Sequence, residues 1–226
     1  GGASVKDAPS VENLARILAA CSGESLIVVI SAMGKMTNAL EHTLAKVYTD
    51  PAGFRTAILP VRDFHFSLCT QLFPAGHTVF EEMEGIFRDM EFPAVLMPGK
   101  SYDEAYDRMV GFGEILSTRI LSHFLKEKGI LHSWLDARDV IATDGRYRRA
   151  GVDIESTYKR IREFWQSLSG STPMVVTQGF IGRSQDGNSV TLGREGSDYS
   201  ASLFAGALQA ESITLWKDVP GVMNAD

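Results

Sequence analysis

Basic residues are too few in this chain to outnumber the acidic ones. Its 22 lysines and arginines stand against 28 aspartates and glutamates, giving a formal net charge of -6. A nucleic-acid backbone rewards a basic surface, so this balance argues against DNA or RNA as partner. Small anions can still be held locally by backbone amides and a few cations. Cysteine is scarce as well: Cys21 and Cys69 are the two, and they follow no metal-ligand spacing. A disulfide between them stays open, but two isolated thiols suit a reduced cytosolic protein better. No stretch is long and apolar enough to span a membrane, and no secretory signal opens the sequence. No internal repeat, low-complexity stretch or interdomain linker is seen. The expectation is a cytoplasmic protein without a nucleic-acid or membrane partner.

What is present is ordinary for a globular protein. Hydrophobic residues make up 44% and charged residues 22% of 226 positions, enough for one large domain or two small ones. Val11, Leu14, Leu18 and Cys21 recur at helical spacing, with Ser10 placed to cap the first turn. Leu26 to Ile30 reads as a buried strand running into the loop SAMGKMTN, and a second helix starts near Thr37 or Asn38. The pattern is helical from Val61 to Ser122, with one break at PGKS, and Leu116, Ile120 and Phe124 mark a separate later helix. Strand character returns at Ile130 to Leu135, Met174 to Gln178, Val190 to Leu192 and Ser212 to Trp216, with a helix from Ser197 to Leu208. Strands alternating with helices predict an α/β fold with a largely parallel sheet.

In such sheets ligands gather at the carboxyl ends of the strands, where SAMGKMTN, QGFIG and WKDVPG fall. The stretch TLGREGSDYSA holds Gly193 and Gly196, which permit close approach to a ligand, and Arg194, whose planar fork matches a carboxylate. Ser197 is placed to cap the following helix, and Asp198 to orient a cation or a lysine. The segment reads either as an anion site or as a tight turn with a capping serine and a solvated arginine. SAMGKMTN supplies Ser31 and Thr37 but lacks P-loop spacing, so a Walker-type NTPase is not supported. GFGEILS places Glu114 at or near a helix start, where it either favours the helix dipole or binds a substrate ammonium. Asp218 in WKDVPG either contacts a nucleotide or metal or caps a turn.

Taken in order, GG-A-S, SAMGKMTN, GFGEILSTRIL, DARDVIATDGRY, VTQGFIG, TLGREGSDYSA and WKDVPGVMNAD resemble the aspartate kinases of the amino-acid kinase family from the first residue to the last. The resemblance implies a three-layer αβα sandwich with a mainly parallel central sheet. It implies ATP with Mg2+ and L-aspartate as substrates, 4-phospho-L-aspartate as product, and a place in lysine and threonine biosynthesis. It assigns Gly1, Gly2 and Ser4 to ATP, with Lys217 and Asp218 on the nucleotide side. Ser31, Thr37, Glu114, Arg194 and Ser197 match substrate-binding positions, and Asp198 with Arg194 the catalytic ones. No protein ligand for the metal is assigned. A homodimer is compatible with the family. None of the five histidines is needed as a base, because an aspartate carboxylate is already ionised at neutral pH; His123 and His132 read as packed or hydrogen-bonded.

Departures from the family pattern qualify this. The lysine and phenylalanine of KFGG do not precede Gly1; Ala3, Lys217 and Glu195 stand where threonine, threonine and glycine are usual. Residues 1–226 are expected to be one amino-acid kinase catalytic domain trimmed at both ends, without its regulatory ACT domains, and weak or inactive alone. Two alternatives remain: a family member with another acceptor, and a kinase-derived regulatory protein that does not catalyse.

Overall fold

Alternate residues of Leu26–Ile30 (β1) face two different apolar clusters. Leu26, Val28 and Ile30 belong to one, Ile27 and Val29 to the other. The period of two in a strand makes this possible only if the sheet is covered on both faces. The structure, a computed structural model, describes residues 1–21, 23–91, 101–168 and 173–216.

The first apolar layer is helical. A short 3-10 turn, Gly2–Val5, leads into α1 (Ala8–Ala20), and β1 is followed by α2 (Met36–Thr49), α3 (Phe54–Ala57), α4 (Leu59–Leu72), α5 (Thr78–Glu91) and α6 (Tyr102–Glu127). Then come β2 (Ser133–Leu135), α7 (Ala137–Val140), β3 (Ala142–Thr143), α8 (Ile154–Ser167), β4 (Met174–Gln178), β5 (Ile181–Ser184), β6 (Ser189–Thr191) and α9 (Gly196–Leu208). β1 and β2 both pair in parallel with β4, giving the order β1-β4-β2. A second group has the order β3-β5-β6, parallel between β3 and β5 and antiparallel between β5 and β6. Helices α8 and α9 pack together over the second face of the sheet, with Ile161, Leu203 and Phe204 in the second cluster. The expected three layers, helix, mainly parallel sheet and helix, are therefore present.

Helix α6 departs from expectation. One 26-residue helix replaces two, about 39 Å long at 1.5 Å per residue. GFGEILS lies inside this helix rather than at its start, and Gly113 serves close packing: a Cβ there would come within 3.0 Å of Leu40 Cδ1 and 3.1 Å of Ala32 Cβ. Glu114 consequently lies in mid-helix, which removes the helix-dipole reading for it. The first helix is capped by Asp7, which accepts the Ser10 N–H at 2.9 Å, so Ser10 is a residue of the first turn rather than the cap. β2 begins only at Ser133. Residues 212–216 form no strand, and Ile213, Leu215 and Trp216 there are about half exposed. The amphipathic α8 and the short β3 and β5 add to the elements that the sequence pattern predicts. His123 and His132 are half-buried and hydrogen-bonded, the latter through Ser122 at 2.7 Å.

Candidate functional site

The chain leaving β1 turns at Ser31 into the wall of a cleft of about 690 Å³. Gly1 and Trp216 meet there, the Gly1 amino group donating to the Trp216 carbonyl at 3.1 Å. Gly1 and Gly2 line it, and the Gly34 N–H donates to the Gly2 carbonyl at 2.9 Å. Gly2 cannot carry a side chain, since a Cβ would lie 2.6 Å from the Ala32 carbonyl oxygen. Thr37 reaches the cleft from the first turn of α2, whose N-cap residue Lys35 makes no side-chain capping bond.

Glu114 is the site's most unusual group. It is 2% exposed, its Oε1 accepts the Ala32 N–H at 2.9 Å, and its buried Oε2 has no hydrogen-bond partner. Burial pushes its carboxyl up to about 8, against the opposing pull of the Ala32 N–H and the terminal ammonium of Gly1. A carboxylate buried with one oxygen unpartnered is costly to ionise, and a cation placed in the cleft would relieve that cost.

The far wall is built by β6 and α9. Gly193, Arg194, Glu195, Gly196, Ser197 and Asp198 line the cleft in succession. Glu195 takes a left-handed backbone at φ 57 as N-cap of α9 and makes no side-chain capping bond; Ser197 sits in the first turn and is not the cap. The helix start is pinned instead by Ser200, whose Oγ accepts the Phe180 N–H at 3.0 Å and donates to the Gly196 carbonyl at 2.8 Å. The amino end of a 13-residue helix thus opens on the cleft, which favours negative charge there.

Residues not singled out from the sequence complete the wall: Tyr106, Arg148, Arg149, Phe180 and Thr191. Behind them Asp107 is fully buried. Its two oxygens accept the Arg148 N–H at 3.0 and 2.9 Å, the Thr191 N–H at 2.8 Å and the Thr191 hydroxyl at 2.7 Å. Burial raises the Asp107 carboxyl, while the bonds from Thr191 and Arg148 pull the other way. These contacts join positions 41 and 84 residues apart, which no local pattern reveals.

Of the residues expected in the site, Gly1, Gly2, Ser31, Thr37, Glu114, Arg194, Ser197 and Asp198 come together round one cleft. Ser4 lies in the 3-10 turn, its N–H donating to the Gly1 carbonyl at 2.9 Å, and is not among the lining residues. Lys217 and Asp218 lie outside the described residues. Among the described residues no group of three or more His, Cys, Asp or Glu is arranged to hold a metal, and no helix is long and apolar enough to cross a membrane.

The model of the amino acid kinase family matches residues 1–226. The chain is 33% identical to the bifunctional aspartokinase/homoserine dehydrogenase 2 of Escherichia coli K12, covering 100% of this chain and 27% of that protein. It is 32% identical to the lysine-sensitive aspartokinase 3 of the same organism, covering 100% and 49%. Among solved structures, E. coli aspartokinase III in complex with aspartate and ADP superposes with a TM-score of 0.84 at 30% identity, over 98% of this chain and 48% of that one. The chain therefore spans about half, or less, of the length of these relatives.

Proposed function

The chain belongs to the amino acid kinase family, and from that premise we propose that it forms the catalytic domain of a protein that transfers the γ-phosphoryl group of ATP to the side-chain carboxylate of L-aspartate. The product is 4-phospho-L-aspartate. The observation that carries this reading is the partnerless, buried Oε2 of Glu114 in a cleft that also holds Arg194. A buried carboxyl that ionises when an ammonium approaches, with a planar cation in the same cleft, suits a zwitterionic amino acid: Glu114 takes the ammonium and Arg194 the α-carboxylate. The side-chain carboxylate is then left to react.

That carboxylate is ionised at neutral pH and needs no general base. The protein's task is to suppress repulsion between it and the triphosphate while holding the two in line. Arg194 and the amino end of α9 supply positive potential; Ser31, Thr37 and Ser197 supply hydroxyls, and Asp198 orients the reacting groups. The backbone of Gly1 and Gly2 approaches the phosphates, Ser4 supporting that turn through its bond to the Gly1 carbonyl, with Lys217 and Asp218 on the nucleotide side. Mg2+ suits such a site without a dedicated cage, since it is commonly carried by the nucleotide phosphates with one or two carboxylates; bound, it neutralises phosphate charge.

The E. coli relatives are named as aspartokinases, one of them fused to homoserine dehydrogenase and another lysine-sensitive. By that likeness we place the reaction at the entry to lysine and threonine biosynthesis, in the cytoplasm, with a homodimer as a compatible assembly. The test is magnesium-dependent ADP release by the full-length protein, measured with and without aspartate. Turnover that depends on aspartate and falls by about two orders of magnitude or more in Arg194→Ala supports the reading; turnover only with another carboxylate acceptor refutes it.

A further inference from the structure

Three arginines line the cleft, and they are not equivalent. Arg148 is committed to the rim: its guanidinium lies 4.0 Å from the centre of the Tyr106 ring and within 3.4 Å of Asp103 and Glu41. Arg194 already has a role in the proposed function. Arg149 has none, yet among the described residues neither it nor Arg194 has an ion-pair partner.

The backbone explains where Arg149 goes. Arg148 sits at φ 61, a left-handed conformation that a side-chain-bearing residue seldom adopts. Its N–H is held by both oxygens of Asp107, and the next N–H but one, of Ala150, donates to the Thr191 carbonyl at 3.0 Å. The segment is therefore fastened on both sides of Arg149 and runs along the end of β6. Gly193 stands opposite at φ 82, and a Cβ there would lie 3.2 Å from the Arg148 carbonyl oxygen and 3.6 Å from Arg149 Cγ. The missing side chain of Gly193 leaves room for the stem of Arg149, one residue away from Arg194.

We infer that Arg149 is a second guanidinium for the α-carboxylate of the amino-acid substrate, set beside Arg194 by the left-handed turn at Arg148. This rests on the reading of the cleft as an aspartate site. A carboxylate has about four acceptor positions, more than one guanidinium fork fills. A second fork supplies the remainder and offsets charge that would otherwise repel the triphosphate. The carboxylate is favoured over phosphate because Arg149 packs on Gly193 beside Arg194, whereas the glycine pair packs on Ala32 and Gly34.

The full-length protein, Arg149→Ala and Arg149→Lys would be compared in calorimetric binding of aspartate and of ADP, and in steady-state turnover. For Arg149→Ala the expected result is aspartate binding weakened at least about tenfold, as for a lost charge-assisted hydrogen bond, with ADP binding unchanged. Arg149→Lys should recover only part, since an ammonium lacks the fork. Aspartate bearing an α-amide, which has already lost the partner group, should bind wild type and Arg149→Ala alike. A loss confined to ADP, an unchanged aspartate constant, or an equal loss with the α-amide each overturns the inference. Wild-type protein that binds aspartate without phosphorylating it overturns the proposed function, while the binding constants still decide the role of Arg149. Wild type that does not bind aspartate overturns both.

Discussion

Glu114 and Ala32, 82 residues apart in sequence, are joined by one hydrogen bond of 2.9 Å between the Ala32 N–H and Glu114 Oε1. The bond fixes the buried carboxylate of this cleft-lining residue against the loop after β1, while its other oxygen has no hydrogen-bond partner. Glu114→Gln keeps the shape, and its amide oxygen can still accept from Ala32. The charge that receives an ammonium is gone. Affinity for aspartate is expected to fall by roughly 10- to 100-fold, the range of a hydrogen bond to a charged group, with nucleotide affinity kept. Unchanged aspartate binding by calorimetry would rule Glu114 out as the ammonium site.

The same carboxyl makes binding pH-dependent. Its value in the folded protein is pushed up to about 8 from 4.5, so the ionised form that attracts an ammonium grows as pH rises through that region. Aspartate affinity should climb between about pH 6.5 and 8.5 in wild type and stay flat in Glu114→Gln. Stability has the opposite sign. Between 4.5 and about 8 the folded state binds more protons than the unfolded state, so stability falls as pH rises through that window. Glu114→Gln should lose less stability than wild type between pH 6 and pH 8 in urea unfolding.

The sequence was legible where its patterns are local. β1, β4, α2 and α9 follow from an apolar run or a helical stripe, and SAMGKMTN and QGFIG fall at strand ends as expected, whereas among the described residues no strand directly precedes WKDVPG. β3 and β5, of two and four residues, depend on partners far along the chain and leave little local trace. The alternation of Ile213 and Leu215 looked like a strand, but alternation does not supply a neighbour to pair with. In the site, Arg194 and Glu114 stood out by residue type and motif. Arg149 and Asp107 could not, because what distinguishes them is a turn closed by contacts across α6 and β6.

Two helix glycines should respond in opposite directions to alanine. Gly85 in α5 has only Arg88 Nη2 near a built Cβ, at 3.9 Å, so Gly85→Ala should stabilise by about 0.5–1 kcal/mol through helix propensity. Gly113 in α6 would gain the same amount, but its Cβ would press on Leu40 and on Ala32, the residue that holds Glu114. Gly113→Ala is expected to destabilise by about 1–3 kcal/mol and to weaken aspartate binding. Chemical denaturation of both variants checks the sign, and two stabilising outcomes would contradict the tight helix contact.

His65 gives an acid limit independent of the cleft. It is fully buried between the Phe64 and Phe87 rings, with Nδ1 2.7 Å from the Val61 carbonyl and Nε2 without a partner. Burial lowers it to about 4 from 6.5, with the Val61 bond opposing. Between those values the unfolded chain holds a proton that the folded one does not, so stability falls as pH drops from 6.5 to 4 and is otherwise unaffected by this group. The whole window is worth roughly 3 kcal/mol. His65→Leu should remove that part of the slope in unfolding measured at pH 7, 6 and 5; an unchanged slope would mean the ring is reached by water.

Asp107 should discriminate between its amide and its deletion. Asp107→Ala leaves the buried Thr191 N–H and the part-buried Arg148 N–H without their acceptor, a loss of about 2–5 kcal/mol. Asp107→Asn is expected to be far milder. With its oxygen in the Oδ2 position it still accepts both N–H groups, the Thr191 hydroxyl can turn to accept from the new amide, and what is lost is the second, 3.0 Å contact from the Arg148 N–H. The functional consequence follows the same order, because the left-handed turn at Arg148 depends on those bonds. Asp107→Ala should weaken aspartate binding as well as lower the melting temperature, while Asp107→Asn should do little to either. Equal damage from both substitutions would show that the negative charge itself, rather than the acceptor geometry, holds the wall of the cleft in place.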